Sequence, residues 1–175
     1  MTSTFSISAP PHSAAGCVIT DGNHILAGFQ PHKKTPGISG FGGHKEGVET
    51  FLETAYRETI EELYNIPSYK IPFGLVSSLV STLKPSSIRM KDEYVMVFLT
   101  FQEFELFLKI CKTSGIESPL FSKLPLTLSD AIHKRACDST AEISHLCLLP
   151  IVPYSASMSF VSWEFLEDIW QIART

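Results

Sequence analysis

Apolar and polar positions fall into blocks along this chain, and the period within each block predicts an element. Residues 15–20 and 24–29 are short apolar runs on either side of Asp21-Gly22-Asn23, the pattern of a β-hairpin closed by an Asp-Gly turn. Residues 31–47 are so rich in Gly and Pro that they read as an irregular loop. From Thr50 the period becomes helical. Leu52, Ala55 or Tyr56, Thr59 and Leu63 recur on one face, and Thr50 with Glu53 makes a Thr-x-x-Glu capping box, which predicts a helix over 51–64. Residues 73–80 and 94–101 read as strands, the second an unbroken apolar run of the kind found in a sheet covered on both faces. Phe104, Phe107, Leu108 and Cys111 predict a helix over 103–111, with Gly115 near its end, and 128–136 reads as a further short helix. A strand is expected over 142–149. A last helix over 163–172 follows Ser162 as cap, with Trp163, Leu166, Ile169 and Trp170 on its apolar face. Strands interleaved with helices indicate a layered α/β sandwich.

Composition narrows this to one domain. The chain has 175 residues, of which 44% are hydrophobic, enough to build a core without disulfide or metal staples. We expect a flexible N-terminal tail over 1–13 and a single domain over 14–175, in which 102–141, with its two helices, forms a helical insertion. The four cysteines lie far apart with no Cys-x-x-Cys pair, so neither a zinc ribbon nor a disulfide framework is signalled. The first residues lack both a basic start and an apolar core, and no apolar run approaches the length of a membrane helix. A cytoplasmic protein with reduced thiols is the expectation, a nuclear one the alternative, with no membrane partner.

Charge changes the picture locally. Residues 46–62 hold six glutamates against Arg57 alone, so that this stretch carries more than the whole net charge of −4. Elsewhere there is no basic run, and no large electrostatic footprint for nucleic acid is predicted. Glu58, Glu61 and Glu62 stand at i, i+3 and i+4, so on the predicted helix they leave one face as neighbours. Three carboxylates in that array are either a solvated acidic face or a site for a hard divalent cation, which takes oxygen ligands. The glycines of Gly40-Phe41-Gly42-Gly43 just upstream can bring bare backbone close to a metal or a phosphate.

Gly43, five residues, Glu49, seven residues, Arg57-Glu58, two residues and Glu61-Glu62 together resemble the Nudix box, Gly-x5-Glu-x7-Arg-Glu-U-x-Glu-Glu-x-Gly-U with U apolar. All six anchors match without a gap. The box ends differently: Thr59 stands at an apolar position, Tyr64 replaces the glycine and Asn65 the final apolar residue. Asn65, ahead of Ile66-Pro67, is expected to cap a helix one residue longer in a left-handed conformation.

The resemblance implies an α/β/α sandwich around a mixed sheet, and hydrolysis of the pyrophosphate bond in a nucleoside diphosphate linked to another group. It implies Mg2+ or Mn2+ held by Glu58, Glu61 and Glu62 with the carbonyl of Gly42, and an Arg57–Glu49 ion pair clamping loop to helix. The general base would be Glu61 or a carboxylate from a later loop, Glu142 or Asp138, with Asp92 and Glu93 behind them. Gly43 and His44 are candidate contacts to substrate, Lys33, Lys34 and Lys45 could attract polyphosphate, and Glu46 stands either near the metals or in solvent. The partner is a nucleotide or another small molecule containing pyrophosphate. Two alternatives stay open. One is decapping of RNA, which needs a basic surface assembled from residues such as Lys33, Lys34, Lys45, Lys84, Arg89, Lys91, Lys134 and Arg135. The other is a non-catalytic nucleotide-binding sensor or interaction module. Nothing in the sequence marks which nucleotide is bound.

Overall fold

The computed structural model describes residues 11–151 and 160–173. Strands β1 (Ala14–Thr20) and β2 (His24–Gln30) meet at the expected turn, where Asp21 Oδ1 accepts the N–H groups of Asn23 and His24 at 2.8 and 2.6 Å. The chain continues through β3 (Gly37–Ser39), β4 (Phe41–His44), α1 (Phe51–Tyr64), α2 (Leu75–Thr82), β5 (Ser87–Lys91) and β6 (Tyr94–Thr100). It then runs through α3 (Phe101–Thr113), α4 (Leu128–His133), β7 (His145–Pro150) and α5 (Trp163–Ala173).

The strands form one mixed sheet. β1 pairs in parallel with β6 along its whole length and antiparallel with β4 over Ala14 to Cys17, while β5 is added antiparallel to β6. β2 touches β1 only near the hairpin and elsewhere pairs with β3 on one edge and β7 on the other. The first hairpin therefore forks the sheet, and β4 lies in the fork.

Side-chain alternation assigns the two faces. Ala15, Cys17 and Ile19 of β1 and Val95, Val97 and Leu99 of β6 point to one face, where they are buried with Tyr56, Ile60 and Leu63 of α1 and Phe104, Phe107 and Leu108 of α3. Val18, Ile25, Met96 and Phe98 point to the other, covered by Phe165, Leu166 and Ile169 of α5. β6 is thus buried on both faces, as its unbroken apolar run predicts. Helices lie on both sides of a mixed sheet, the α/β/α arrangement expected.

Several expectations need correction. Residues 31–47 are not irregular throughout, because β3 and β4 form within them. The glycines permit it: Gly42 sits opposite Gly16, and a Cβ on Gly42, at φ 156°, would meet the Tyr94 hydroxyl at 2.5 Å and the Gly16 Cα at 2.7 Å. Residues 73–80, expected as a strand, belong mostly to α2, which begins after Gly74 and buries Leu75 and Leu79 at helical spacing. The edge strand β5 was not anticipated; its exposed Ile88 and Met90 and its charged Arg89 and Lys91 carry little apolar period. Phe101 opens α3, capped by Thr100 and Glu103, instead of closing β6. α4 stops at His133, short of 136, and β7 starts at His145, not 142. Of the expected tail, residues 1–10 lie outside the described residues, and Ser13 is already bonded to the Glu93 carbonyl at 3.0 Å. The 102–141 segment packs onto the domain through Phe104, Phe107, Leu108 and Cys111, all buried. No described helix is long and apolar enough to cross a membrane.

Candidate functional site

α1 carries the site, and its start is fixed as the sequence predicts: Glu53 N–H donates to Thr50 Oγ1 at 3.3 Å and Thr50 N–H to Glu53 Oε2 at 2.7 Å. The acidic stretch is organised around one guanidinium. Arg57, 5% exposed, forks through Nε and Nη2 onto the two oxygens of Glu49 at 2.7 and 3.0 Å, and Nη2 also donates to the His44 carbonyl at 2.7 Å. Nη1 turns to the helix itself, donating to Glu58 at 2.8 Å and Glu61 at 3.0 Å, with Glu46 at 3.9 Å. The cation so joins β4 and the following loop to α1, a task for a planar fork that a lysine point charge cannot match.

Burial alone would weaken the proton affinity of Arg57, but the hydrogen bonds to Glu49, Glu61 and Glu58 outweigh it and raise its pKa. In Glu49 burial pushes the carboxyl up while Arg57 and the Glu46 N–H pull it further down, leaving it below the usual carboxylate range. Glu58 and Glu61 are raised, chiefly by burial, with Arg57 opposing and neighbouring glutamates adding to the rise.

Glu62 points inward and is 3% exposed. Its oxygens accept the Gly42 N–H at 3.0 Å and Gln30 Nε2 at 3.2 Å, both neutral donors. Burial holds its pKa well above the ordinary value, and the charge of Glu142 pushes the same way. A buried carboxylate with only neutral partners is electrostatically suited to a cation. Gly43 points to the same place: a Cβ there would lie 2.4 Å from the Glu58 carboxyl carbon, so only glycine lets the β4 backbone rest against that carboxylate. Carboxylate and main-chain carbonyl oxygens are the donor set of Mg2+ and Mn2+, and the residues fit such an ion. Among the described residues no three His, Cys, Asp or Glu side chains are already drawn together about one point. Glu58 and Glu61 lean onto Arg57, and Glu62 leans onto Gly42 and Gln30.

Beside Gly42 and Gly43 opens a cleft of about 1190 Å3. Gln30, Lys33, Lys34, Tyr94, Phe165 and Asp168 are among the residues that line it. Burial pushes the Asp168 carboxyl up to about 6, with Lys91 opposing. His44 and the turn residues Asp92 and Glu93 also border the cleft. Glu142 lies 3.9 Å from Lys33 Nζ, and its charge raises both Glu58 and Glu62, which places it within electrostatic reach of the α1 carboxylates. Asp138 is engaged in its own turn, accepting the Thr140 N–H at 2.8 Å and hydroxyl at 2.7 Å.

Gln30, Tyr94 and Asp168 escaped the sequence reading as cleft residues, and Arg135, expected only on a basic surface, is buried. Gln30 and Asp168 left a trace, a polar residue closing an apolar strand and an acid bordering an apolar helical stripe. The basic residues that RNA decapping would require are partly engaged elsewhere. Arg135 is buried, Lys91 pairs with Glu167, Lys134 pairs with Asp130 at 2.6 Å, and Arg89 lies over the Phe98 ring.

No family model and no curated protein matches the sequence. Among solved structures, a bifunctional NMN adenylyltransferase/ADP ribose pyrophosphatase from Francisella tularensis aligns with 97% of this chain at a TM-score of 0.50 and 11% identity, over 42% of its own length. That likeness, with the boxed glutamates on α1 and β4 seated in the fork of the sheet, decides the architecture. The chain has a Nudix fold. A Nudix hydrolase from Nitrosomonas europaea (TM-score 0.45, 12% identity, 94% of this chain and 89% of that one) is also similar. So is a UDP-X diphosphatase (TM-score 0.44, 13% identity, 98% and 66%). The chain spans less than two thirds of the bifunctional enzyme and of the diphosphatase. At these identities the likeness is one of fold; in this chain Gly42 and Gly43 line the cleft and touch Glu62 and Glu58.

Proposed function

We propose that the protein is a divalent-metal-dependent hydrolase of the pyrophosphate bond in a nucleoside diphosphate linked to another group. The observation that carries this reading is the junction of two features: Glu58 resting against Gly43 and Glu62 bonded to Gly42, with Glu61 beside them on α1, and a cleft of nucleotide size lined by the same two glycines with Lys33 and Lys34. Glu58, Glu61, Glu62 and the Gly42 carbonyl would hold Mg2+ or Mn2+. Bound there, the ion would neutralise the bridging phosphates and lower the pKa of the attacking water.

The chain's own residues supply the rest. Lys33 and Lys34 draw the phosphates to the side of the cleft nearest the carboxylates. Arg57, locked by Glu49, keeps Glu58 and Glu61 at a fixed distance from β4 while leaving each a second oxygen to offer. Glu142 or Glu61 takes the proton of the attacking water; Glu142 is the better placed of the late-loop carboxylates, because Asp138 is already committed to Thr140. The apolar wall at Phe165 and the polar groups of Tyr94 and Asp168 receive the nucleoside or its linked group. His44 and Gly43 border the phosphate path.

The test is a substrate panel of nucleoside triphosphates, ADP-ribose, dinucleotides, sugar nucleotides and capped RNA, assayed with Mg2+ or Mn2+. One class should be turned over with release of two phosphorylated fragments. Glu61→Gln and Glu62→Gln should each lower kcat by roughly a hundredfold or more. Lack of turnover across the panel, or full activity in both variants, would refute the proposal. Tight nucleotide binding without product would point instead to a sensor.

A further inference from the structure

The C-terminal end of α1 is held by residues far away in sequence. A helix leaves its last four carbonyls without intrahelical donors. Here all four are met. The Glu61 carbonyl accepts the N–H groups of Asn65 and Ile66, and the Tyr64 carbonyl accepts the Ser118 hydroxyl at 2.6 Å. The two between them belong to Arg135, whose Nη2 donates to the Glu62 carbonyl at 3.2 Å and whose Nε donates to the Leu63 carbonyl at 3.1 Å. The third arm, Nη1, donates to the Ser144 carbonyl at 3.2 Å. Arg135 is 7% exposed, and a buried cation at a helix C-terminus is favoured by the helix dipole.

These bonds close a circuit. Ser144 N–H donates to the Phe29 carbonyl at 2.9 Å, and the next residue, Gln30, donates to the Glu62 side chain. Glu62 is therefore gripped at its main chain by Arg135 and at its carboxylate by Gln30, with Ser144 linking the two grips. The same guanidinium pins both ends of the segment 135–144, and that segment carries Glu142. Within it Ala141 and Ile143 are buried and Ser139 accepts from the His32 ring at 2.6 Å, so the loop follows its anchors as a unit.

We propose that Arg135 is a positioning residue: by tying the end of α1 to Ser144 it fixes the 135–144 segment, and with it Glu142, relative to the carboxylates of α1. The proposal rests on the reading of those carboxylates as the hydrolytic site. Arg135→Lys keeps the charge and loses the fork, so it should lower kcat by about tenfold to a hundredfold through misplacement of Glu142 while KM changes less than about threefold. Combined with Glu142→Gln it should cost little more than Glu142→Gln alone.

Amide exchange supplies a readout independent of turnover. In the wild-type protein, residues 62–66 and 136–144 should open together, with one common dependence on denaturant, and Arg135→Lys should speed exchange in both segments and leave the β1–β6 core unchanged. Separate opening in the wild type, unaltered exchange in the variant, or losses from Arg135→Lys and Glu142→Gln that simply multiply would each overturn the proposal. Joint opening in a protein that turns over no substrate would support the tie and refute hydrolysis.

Discussion

Arg57 and Arg135 are both buried against α1, one on its acidic flank and the other at its C-terminal end, and they do their work through opposite electrostatics. Arg57 sits among Glu49, Glu58 and Glu61 at 2.7 to 3.0 Å, and its pKa is raised. Arg135 meets only carbonyls, and burial pushes its pKa down to about 10. A cation surrounded by carboxylates organises charge for chemistry; one surrounded by carbonyls organises backbone. The first sets distances among side chains that have to reach a ligand, and the second sets the frame from which they reach. Both are hard to replace, but for different reasons. Loss of Arg57 leaves like charges facing one another, whereas loss of Arg135 leaves neutral acceptors that water can reach at modest cost.

The largest effect should come from Arg57→Met, which strands Glu49, Glu58 and Glu61. We expect about 3–5 kcal/mol of destabilisation in urea unfolding at neutral pH, with turnover lost. Arg135→Met should destabilise by less, about 1–3 kcal/mol, because hydration of the freed carbonyls replaces part of what is lost. If the two costs came out in reverse order, the contrast between a charge-organising and a backbone-organising arginine would fail.

Acid separates the two more cleanly. Because the folded-state pKa of Glu49 is depressed, its contribution is fully present above the unfolded value and is lost as pH falls through the folded one, that is, below roughly pH 4.3. Arg135 stays charged throughout that range. Glu49→Gln should therefore flatten the fall of stability with acid, and Arg135→Lys should shift the curve without changing its slope. Equal slopes in wild type and Glu49→Gln would show that the fork contributes nothing to acid sensitivity. The smallest effect concerns the cap. Asn65 has φ 51° and ψ 54°, so Asn65→Gly should be neutral within a few tenths of a kcal/mol, while Asn65→Ala should cost about 1 kcal/mol in thermal unfolding.

What could be read from the sequence follows the same division. α1 was legible at both of its ends, because a capping box, a helical apolar period and a left-handed Asn are local signals, and the Arg57–Glu49 fork was expected from the motif's resemblance to the Nudix box. Arg135 was not. Its partners lie 73, 72 and 9 residues away and are main-chain carbonyls, which leave no mark in side-chain pattern. The misread strand at 73–80 has a related cause. Val and Leu there suit either period, and tertiary burial of Leu75 and Leu79 under α1 chose the helix. β3 and β4 were hidden by glycines that usually break strands but here let β4 lie close on β1. Gln30 and Asp168 needed the folded sheet to show which edge of the cleft each reaches.

The covering of the second sheet face by α5 has a consequence for how the chain is made. Val18, Ile25, Met96 and Phe98 are all synthesised before Phe165, Leu166 and Ile169 exist to cover them. At about 5–20 residues per second, a nascent chain spends several seconds with that face bare after β6 has left the ribosome. The opposite face suffers no such delay, because α1 lies between β1 and β6 in the chain and α3 follows at once. The domain is thus born half-covered, and a ribosome that pauses before α5 would offer chaperones, or a neighbouring nascent chain, an open apolar sheet.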